Sequence, residues 1–184
     1  MGKLGDSLDK AVQGAFTRPI PKTAGAQMRY LVKQFKGTRA AAEALGISQR
    51  TVERYVKNQI KKPRRELAAR LEREVTKRWQ PQIRAKAKQQ AATTDGIVID
   101  TRARFGYTAA PGTTDDARLR HLTQALPPHY AARLFEAQDQ GATEQQLRTI
   151  AAEGLQEIYF KDHGRRAQDL QVEFTDVDYI DIEL

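Results

Sequence analysis

Cysteine is absent from the 184 residues, serine occurs only as Ser7 and Ser48, and histidine only as His121, His129 and His163. Each shortage removes a class of chemistry. Without thiols there is no disulfide, no thiolate nucleophile and no zinc site that uses sulfur, a usage that suits the cytoplasm. The histidines form no His-x-x-x-His or Glu-x-x-His pair, so an imidazole-held catalytic metal has no sequence support. No apolar run approaches the roughly 20 residues of a bilayer crossing. Met1-Gly2 is followed at position six by Asp6, where a myristoylation signal needs a hydroxyl. The expectation is a chain with no membrane partner. A glycine-rich phosphate loop followed by lysine is also missing, which leaves ATP hydrolysis without a site.

What the chain does have is charge, unevenly spread. Residues 1–90 hold 22 Lys and Arg against 7 Asp and Glu, net +15, and residues 91–184 hold 9 against 16, net −7. A surplus of that size in ninety residues is the footprint of a phosphate-binding surface. The acidic half should point away from a duplex or toward a basic protein.

Apolar spacing predicts the elements. Leu4, Leu8, Val12 and Ala15 or Phe16 recur at helical intervals before the breaker Arg18-Pro19-Ile20-Pro21 and read as a short amphipathic arm. Thr23 is an N-cap candidate for a helix with the stripe Met28, Leu31, Val32 and Phe35, ending at Gly37; Thr38 opens another. A longer helix is expected from Lys62, with Pro63 in its first turn, Leu67, Leu71 and Val75 inside, and Glu66–Arg70 and Glu74–Arg78 as i,i+4 pairs. Its end falls near Trp79-Gln80-Pro81. Residues 82–94 read as a linker or an exposed helix. From Ile97 to Tyr107 the period becomes two, a half-buried strand with Asp100, Arg102 and Arg104 on its polar face. Leu119, Leu122 and Leu126 then suggest a helix closed by Pro127-Pro128. Tyr130, Leu134 and Phe135 mark the next helix, and Thr143 with Gln146 forms a capping box for another. The alternating tail from Leu170 can pair with the first strand, setting Glu173, Asp176 or Asp178 against Arg102 and Arg104.

The expected fold is therefore mainly α. A helix-turn-helix domain at 1–80 is followed by a linker at 81–95 and a small α+β domain at 96–184, with two or more strands and about three helices.

The helix-turn-helix reading rests on Thr38 to Val56, TRAAAEALGISQRTVERYV. Ala42 is small enough for two helices to cross closely. Gly46 can adopt the positive φ of a tight turn, Ile47 plugs the core, Ser48 caps the second helix, and Val52 with Tyr55 or Val56 faces inward. The outward side presents Gln49, Arg50, Thr51, Glu53, Arg54 and Lys57, the first of them where a recognition helix reaches base edges. Lys61, Lys62, Arg64 and Arg65 follow and suit the flanking phosphates, although such a cluster also looks like a nuclear import signal.

Other motifs carry less. His163-Gly164-Arg165-Arg166 has the His-x-x-Arg spacing of tyrosine recombinases with Tyr179 downstream, but the further basic catalytic residues are missing. Asp115-Asp116 could ligate magnesium or simply oppose a helix macrodipole. Thr113-Thr114, between Pro111-Gly112 and those carboxylates, reads on physical grounds as a helix N-cap with one hydroxyl left over.

The chain closely resembles the telomere terminal proteins of linear Streptomyces chromosomes and plasmids. The likeness runs over nearly its full length, through TRAAAEALGISQRTVERYVKNQ, IKKPRRELAARLE, the distinctive IDTRARFGYTAAPGTTDDARLRHLT and the acidic VEFTDVDYIDIEL. The resemblance implies a protein primer rather than an enzyme. Thr114, with Thr113 as fallback, would accept the first deoxynucleotide and stay covalently joined to the 5' end of linear DNA in the nucleoid. It implies telomeric DNA, single-stranded overhang and duplex, a telomere-associated protein and a DNA polymerase as partners. Mg and dNTP would be supplied in that polymerase's site. The alternative is a helix-turn-helix transcriptional regulator or plasmid partition protein with no covalent linkage.

Overall fold

The computed structural model describes residues 3–108, 118–161, 165 and 171–184. In chain order its helices are α1 (Lys3–Gly14), α2 (Ala24–Gln34), α3 (Thr38–Leu45), α4 (Gln49–Val56), α5 (Arg65–Arg78), α6 (Pro81–Gln90), α7 (Pro128–Asp139) and α8 (Glu144–Leu155). Its strands are β1 (Ile97–Thr108), β2 (Arg118–Leu126) and β3 (Gln171–Glu183). The architecture is mainly α with an α+β part. The chain divides into two compact units, Thr17–Pro81 and the combination of Met1–Phe16 with Gln82–Leu184.

In the unit Thr17–Pro81 the four helices bury one core of Met28, Leu31, Leu45, Val52, Leu71 and Val75, all fully enclosed, with Ala24, Ala41, Ala42, Tyr55 and Leu67 around them. These are the apolar stripes expected from the spacing. Thr23 caps α2 by accepting from the Ala26 amide at 3.3 Å. Helix α5 starts at Arg65, so Pro63 lies ahead of it rather than in its first turn. The Glu74–Arg78 pair forms, whereas Arg70 donates to the carbonyl of Leu45 at 2.9 Å. The unit's two ends meet. The Thr17 amide donates to Gln80 Oε1 at 3.0 Å, Gln80 Nε2 donates to Thr17 Oγ1 at 3.1 Å, and Trp79 Nε1 donates to the Arg18 carbonyl at 3.0 Å.

The second unit is built on an antiparallel sheet of order β2-β1-β3 among the described residues. Ile97, Ile99, Thr101, Ala103 and Phe105 of β1 are buried beneath the helices, as alternation requires; the Thr101 hydroxyl donates to the Tyr179 carbonyl at 2.9 Å. The tail pairs with β1 as β3, with Asp176 opposite Arg104 and Tyr179 opposite Arg102. Asp178 is the extra residue at one register shift and pairs with Arg102 at 3.3 Å. The capping box of Thr143 and Gln146 starts α8.

Three expectations are corrected here. The run Leu119, Leu122 and Leu126 is strand β2, not a helix: Leu122 and Leu126 share the buried face, while Leu119 lies on the other at 46% exposure. Pro127 and Pro128 begin α7 instead of ending a helix, at the positions where the missing N–H costs nothing. The N-terminal stretch is not a loose arm. Leu4, Leu8 and Val12 are fully buried, and α1 packs on β3 and α8. Lys3 Nζ donates to the carbonyls of Val177 and Asp178, and the Leu4 amide donates to Glu144 Oε1 at 3.1 Å, so the helix covers backbone of β3.

The boundaries shift accordingly. Residues 1–16 belong with the sheet, and residues 81–95 are helical: α6, with no buried residue, runs into a π-helical turn at Ala91–Asp95. Helix α6 joins the sheet unit through its cations, Arg84 to Asp9 at 3.3 Å and Lys88 to Asp139 at 2.6 Å. A Leu8→Ala substitution should therefore lower the stability of the sheet unit by about 2–5 kcal/mol in urea unfolding, the cost of a core cavity, where a free arm would show almost none.

Candidate nucleic-acid interface

Helices α3 and α4 are each eight residues long, too short to hold their shape without neighbours. Their ends are secured individually. Gly46 sits at φ 62° and ψ 40°, and the Ile47 amide returns to the Ala42 carbonyl at 3.0 Å, closing α3 in a left-handed cap. Ser48 then caps α4, its hydroxyl accepting from the Thr51 amide at 3.2 Å. Two arginines occupy carbonyls at the far ends: Arg70 on Leu45 for α3, and Arg29 on Val56 at 3.1 Å for α4. Gly25 permits the close approach of α2. A Cβ there would lie 2.2 Å from Asn58 Oδ1 and 3.2 Å from the Tyr55 carbonyl.

With Val52 and Tyr55 buried, the outer side of α4 is set. Gln49, Arg50, Arg54 and Lys57 are exposed, and Thr51 and Glu53 are half-buried. The Thr51 hydroxyl is joined to that of Ser48 at 2.8 Å within the cap. Gln49 is held by Thr38 at 3.1 Å and Glu53 at 3.0 Å. Lys61, Lys62, Arg64 and Arg65 are all exposed, and they crowd the N-terminus of α5, whose only first-turn acid is Glu66. Cations are unfavourable at the positive end of a helix dipole, and an anion placed among them relieves both. The whole unit Thr17–Pro81 carries 17 Lys and Arg against 5 Glu, net +12.

The sheet unit carries a polar network that spacing did not reveal. On the outer face, Asp100 accepts from the Thr123 hydroxyl at 2.7 Å and the Tyr179 hydroxyl at 3.0 Å; His121 Nε2 lies 3.0 Å from Asp100 and 2.6 Å from the Tyr179 oxygen. These residues lie on three strands, and only register aligns them. The Thr123 hydrogen bond, with those of Tyr179 and His121, holds the Asp100 carboxyl below its ordinary range. Desolvation and the Asp100 bond push the Tyr179 phenol up. Asp181 is also lowered, first by Lys10 and then by Ser7.

The pH consequence has a definite sign. A carboxyl with a lowered folded-state pKa is still ionised when the unfolded chain has begun to bind protons. The stabilisation is complete above about pH 4–5 and is lost as pH falls through the folded values. An Asp100→Asn, Asp181→Asn double variant should lose less stability than the parent between about pH 5 and 3, followed by chemical unfolding at each pH. Equal losses would show that neither carboxyl contributes.

Thr113, Thr114, Asp115, Asp116 and His163 lie outside the described residues. The run Arg118–Leu126, expected to form a helix capped by Thr113 or Thr114, is the strand β2. Among the described residues no group of three or more acidic or imidazole side chains is placed to hold a metal, and no helix is long and apolar enough to cross a membrane. No protein-family model matches the chain, and neither a curated protein nor a solved structure matches it significantly.

Proposed function

We propose that this protein is a telomere terminal protein: it binds telomeric DNA through α4 and the adjoining cations, primes DNA synthesis from a threonine hydroxyl, and remains joined to the 5' end. The observation that carries the DNA-binding part is the joint at Gly46, which sets a capped, cation-bearing helix outward from a unit of net charge +12. That arrangement supports a helix-turn-helix reading, in which α4 enters the major groove, Gln49, Arg50 and Arg54 come near base edges and Lys61, Lys62, Arg64 and Arg65 meet phosphates. The priming part rests on the resemblance to terminal proteins.

In the priming step Thr114 Oγ attacks the α-phosphorus of a deoxynucleoside triphosphate. A phosphodiester forms to the protein, pyrophosphate leaves, and the hydroxyl proton passes to solvent or to a base in the polymerase. The magnesium ions and the catalytic groups belong to that polymerase; this chain contributes reach and orientation. A telomere-associated protein that holds the overhang is the further partner, and the site of action is the nucleoid.

The test separates this from a regulator or partition protein with the same reading unit. Telomeric fragments boiled in detergent should still migrate with protein attached, and purified Thr114→Val protein should bind DNA while accepting no labelled dCMP. Release of all protein on boiling leaves the regulator. Label joining the variant moves the acceptor to Thr113, Tyr107 or Thr108.

A further inference from the structure

We infer that α4 selects a base bearing an exocyclic amino group, cytosine through N4 or adenine through N6, by means of Gln49 and Glu53. This rests on the DNA-binding reading of the unit Thr17–Pro81 and adds the chemistry that it selects. The geometry turns on one carboxamide. Gln49 Nε2 donates to Glu53 Oε1 at 3.0 Å and to Thr38 Oγ1 at 3.1 Å. A carboxylate only accepts, so the nitrogen of Gln49 must be the atom facing Glu53, and the orientation of the amide is fixed. Both amide hydrogens are then engaged.

What remains of these two side chains accepts and does not donate: Oε1 of Gln49 and Oε2 of Glu53. A glutamine without these ties offers a donor and an acceptor together, the fork that matches N7 and N6 of adenine. Here the donor prong is occupied. Of the neighbouring hydroxyls, Ser48 and Thr51 are joined to each other at 2.8 Å, which engages one of their two hydrogens. Facing guanine O6 or N7, or thymine O4, this pair would set lone pair against lone pair and leave a desolvated carboxylate without a partner.

The helix wheel supplies the contrast. Gln49 and Glu53 are four residues apart and form one column, while Arg50, Arg54 and Lys57 form a second, offset by about 100° and made only of donors. A base pair with an amino group on one base and acceptors on the other meets both columns. The negative charge of Glu53 weakens attachment to DNA of any sequence, so it is expected to act in discrimination rather than in grip.

The test uses the full chain. Sites are selected from a random duplex pool with the wild-type protein and with the Gln49→Ala, Glu53→Ala double variant; the position whose preference disappears in the double variant is the one these residues read. At that position the amino group is deleted, using 2-pyrimidinone for cytosine or purine for adenine, and separately N7 of the purine in the same pair is replaced by carbon. Loss of the amino group should weaken wild-type binding about 5- to 100-fold and the double variant's by less than about twofold. Where the amino base is adenine, the 7-deaza base should leave wild-type affinity unchanged; where it is cytosine, any loss from 7-deazaguanine belongs to the arginine column and should be the same in both proteins. Sensitivity to 7-deazaadenine in place of amino deletion, equal losses on amino deletion in both proteins, or a double variant whose preferences match the wild type would each overturn the assignment while leaving the DNA-binding reading intact. Failure to bind any duplex would overturn that reading and the assignment with it.

Discussion

Gly96→Ala should be among the most destructive single substitutions in the sheet unit, costing about 2–6 kcal/mol. Gly96 leaves the π-helical turn at φ 74° and ψ −153°, a region essentially closed to side chains, where occupancy alone costs about 1–3 kcal/mol. An added Cβ would also stand 2.1 Å from the Leu126 carbonyl oxygen and 3.2 Å from its carbon. Those atoms are backbone of β2, paired to Ile97, and cannot swing aside; forced overpacking adds about 1–3 kcal/mol. Gly141 is the control. Its φ is 81° but a Cβ would meet nothing within 4 Å, so Gly141→Ala should cost only about 1–2 kcal/mol. Trp79, the one tryptophan, lies in the other unit, and its fluorescence transition should persist in Gly96→Ala while the sheet unit unfolds at lower urea. A shared, unchanged transition would show that the clash is relieved by movement of β2.

The second large effect concerns salt. Replacing Lys61, Lys62, Arg64 and Arg65 together by alanine should lower affinity for all duplexes alike, on the order of a thousandfold near 0.15 M salt. Each phosphate contact contributes about 0.9 to the slope of log K against log salt, so four contacts flatten that slope by roughly 3.6. Arg50→Ala should instead narrow the gap between preferred and random sequence, by about 1–3 kcal/mol if it contacts a guanine. Filter binding or anisotropy across a salt series distinguishes them. An unchanged slope in the quadruple variant would place these cations off the DNA. The same substitution removes repulsion at the head of α5, so the unit should gain rather than lose stability.

The basic unit was largely legible because its signals are local. Thr23 and Ser48 act as caps within three residues of their targets, Gly46 carries the one backbone angle that its turn needs, and the stripes on α2 and α5 each face a single core. The sheet unit was less legible because its decisive contacts are distant. Leu4, Leu8 and Val12 announce an amphipathic helix, but nothing in their spacing says that the covering surface is β3, about 170 residues away. Leu119, Leu122 and Leu126 fit helical intervals by coincidence. In β3 a usable signal was present: Val172, Phe174, Val177, Ile180 and Ile182 are buried at spacings of two, three, three and two, and each three marks a register shift. The Asp100 network had no such mark, since its members come from β1, β2 and β3. In the candidate interface, composition and spacing located the cations. Only the packed structure showed that the Thr51 hydroxyl meets that of Ser48 and that Gln49 is tied to Glu53.

The meeting of Thr17 with Gln80 means that the basic unit enters and leaves its host at one place, like a cassette spliced into a longer tape. Two peptide crossings, near Phe16 and near Gln82, therefore connect the portions. A protease that nicks either crossing leaves the other as a tether between the two units. Genetic excision has the matching consequence: joining position 16 to position 82 through a short flexible bridge should leave the remainder whole, whereas a truncation before residue 96 would strip away its first helix.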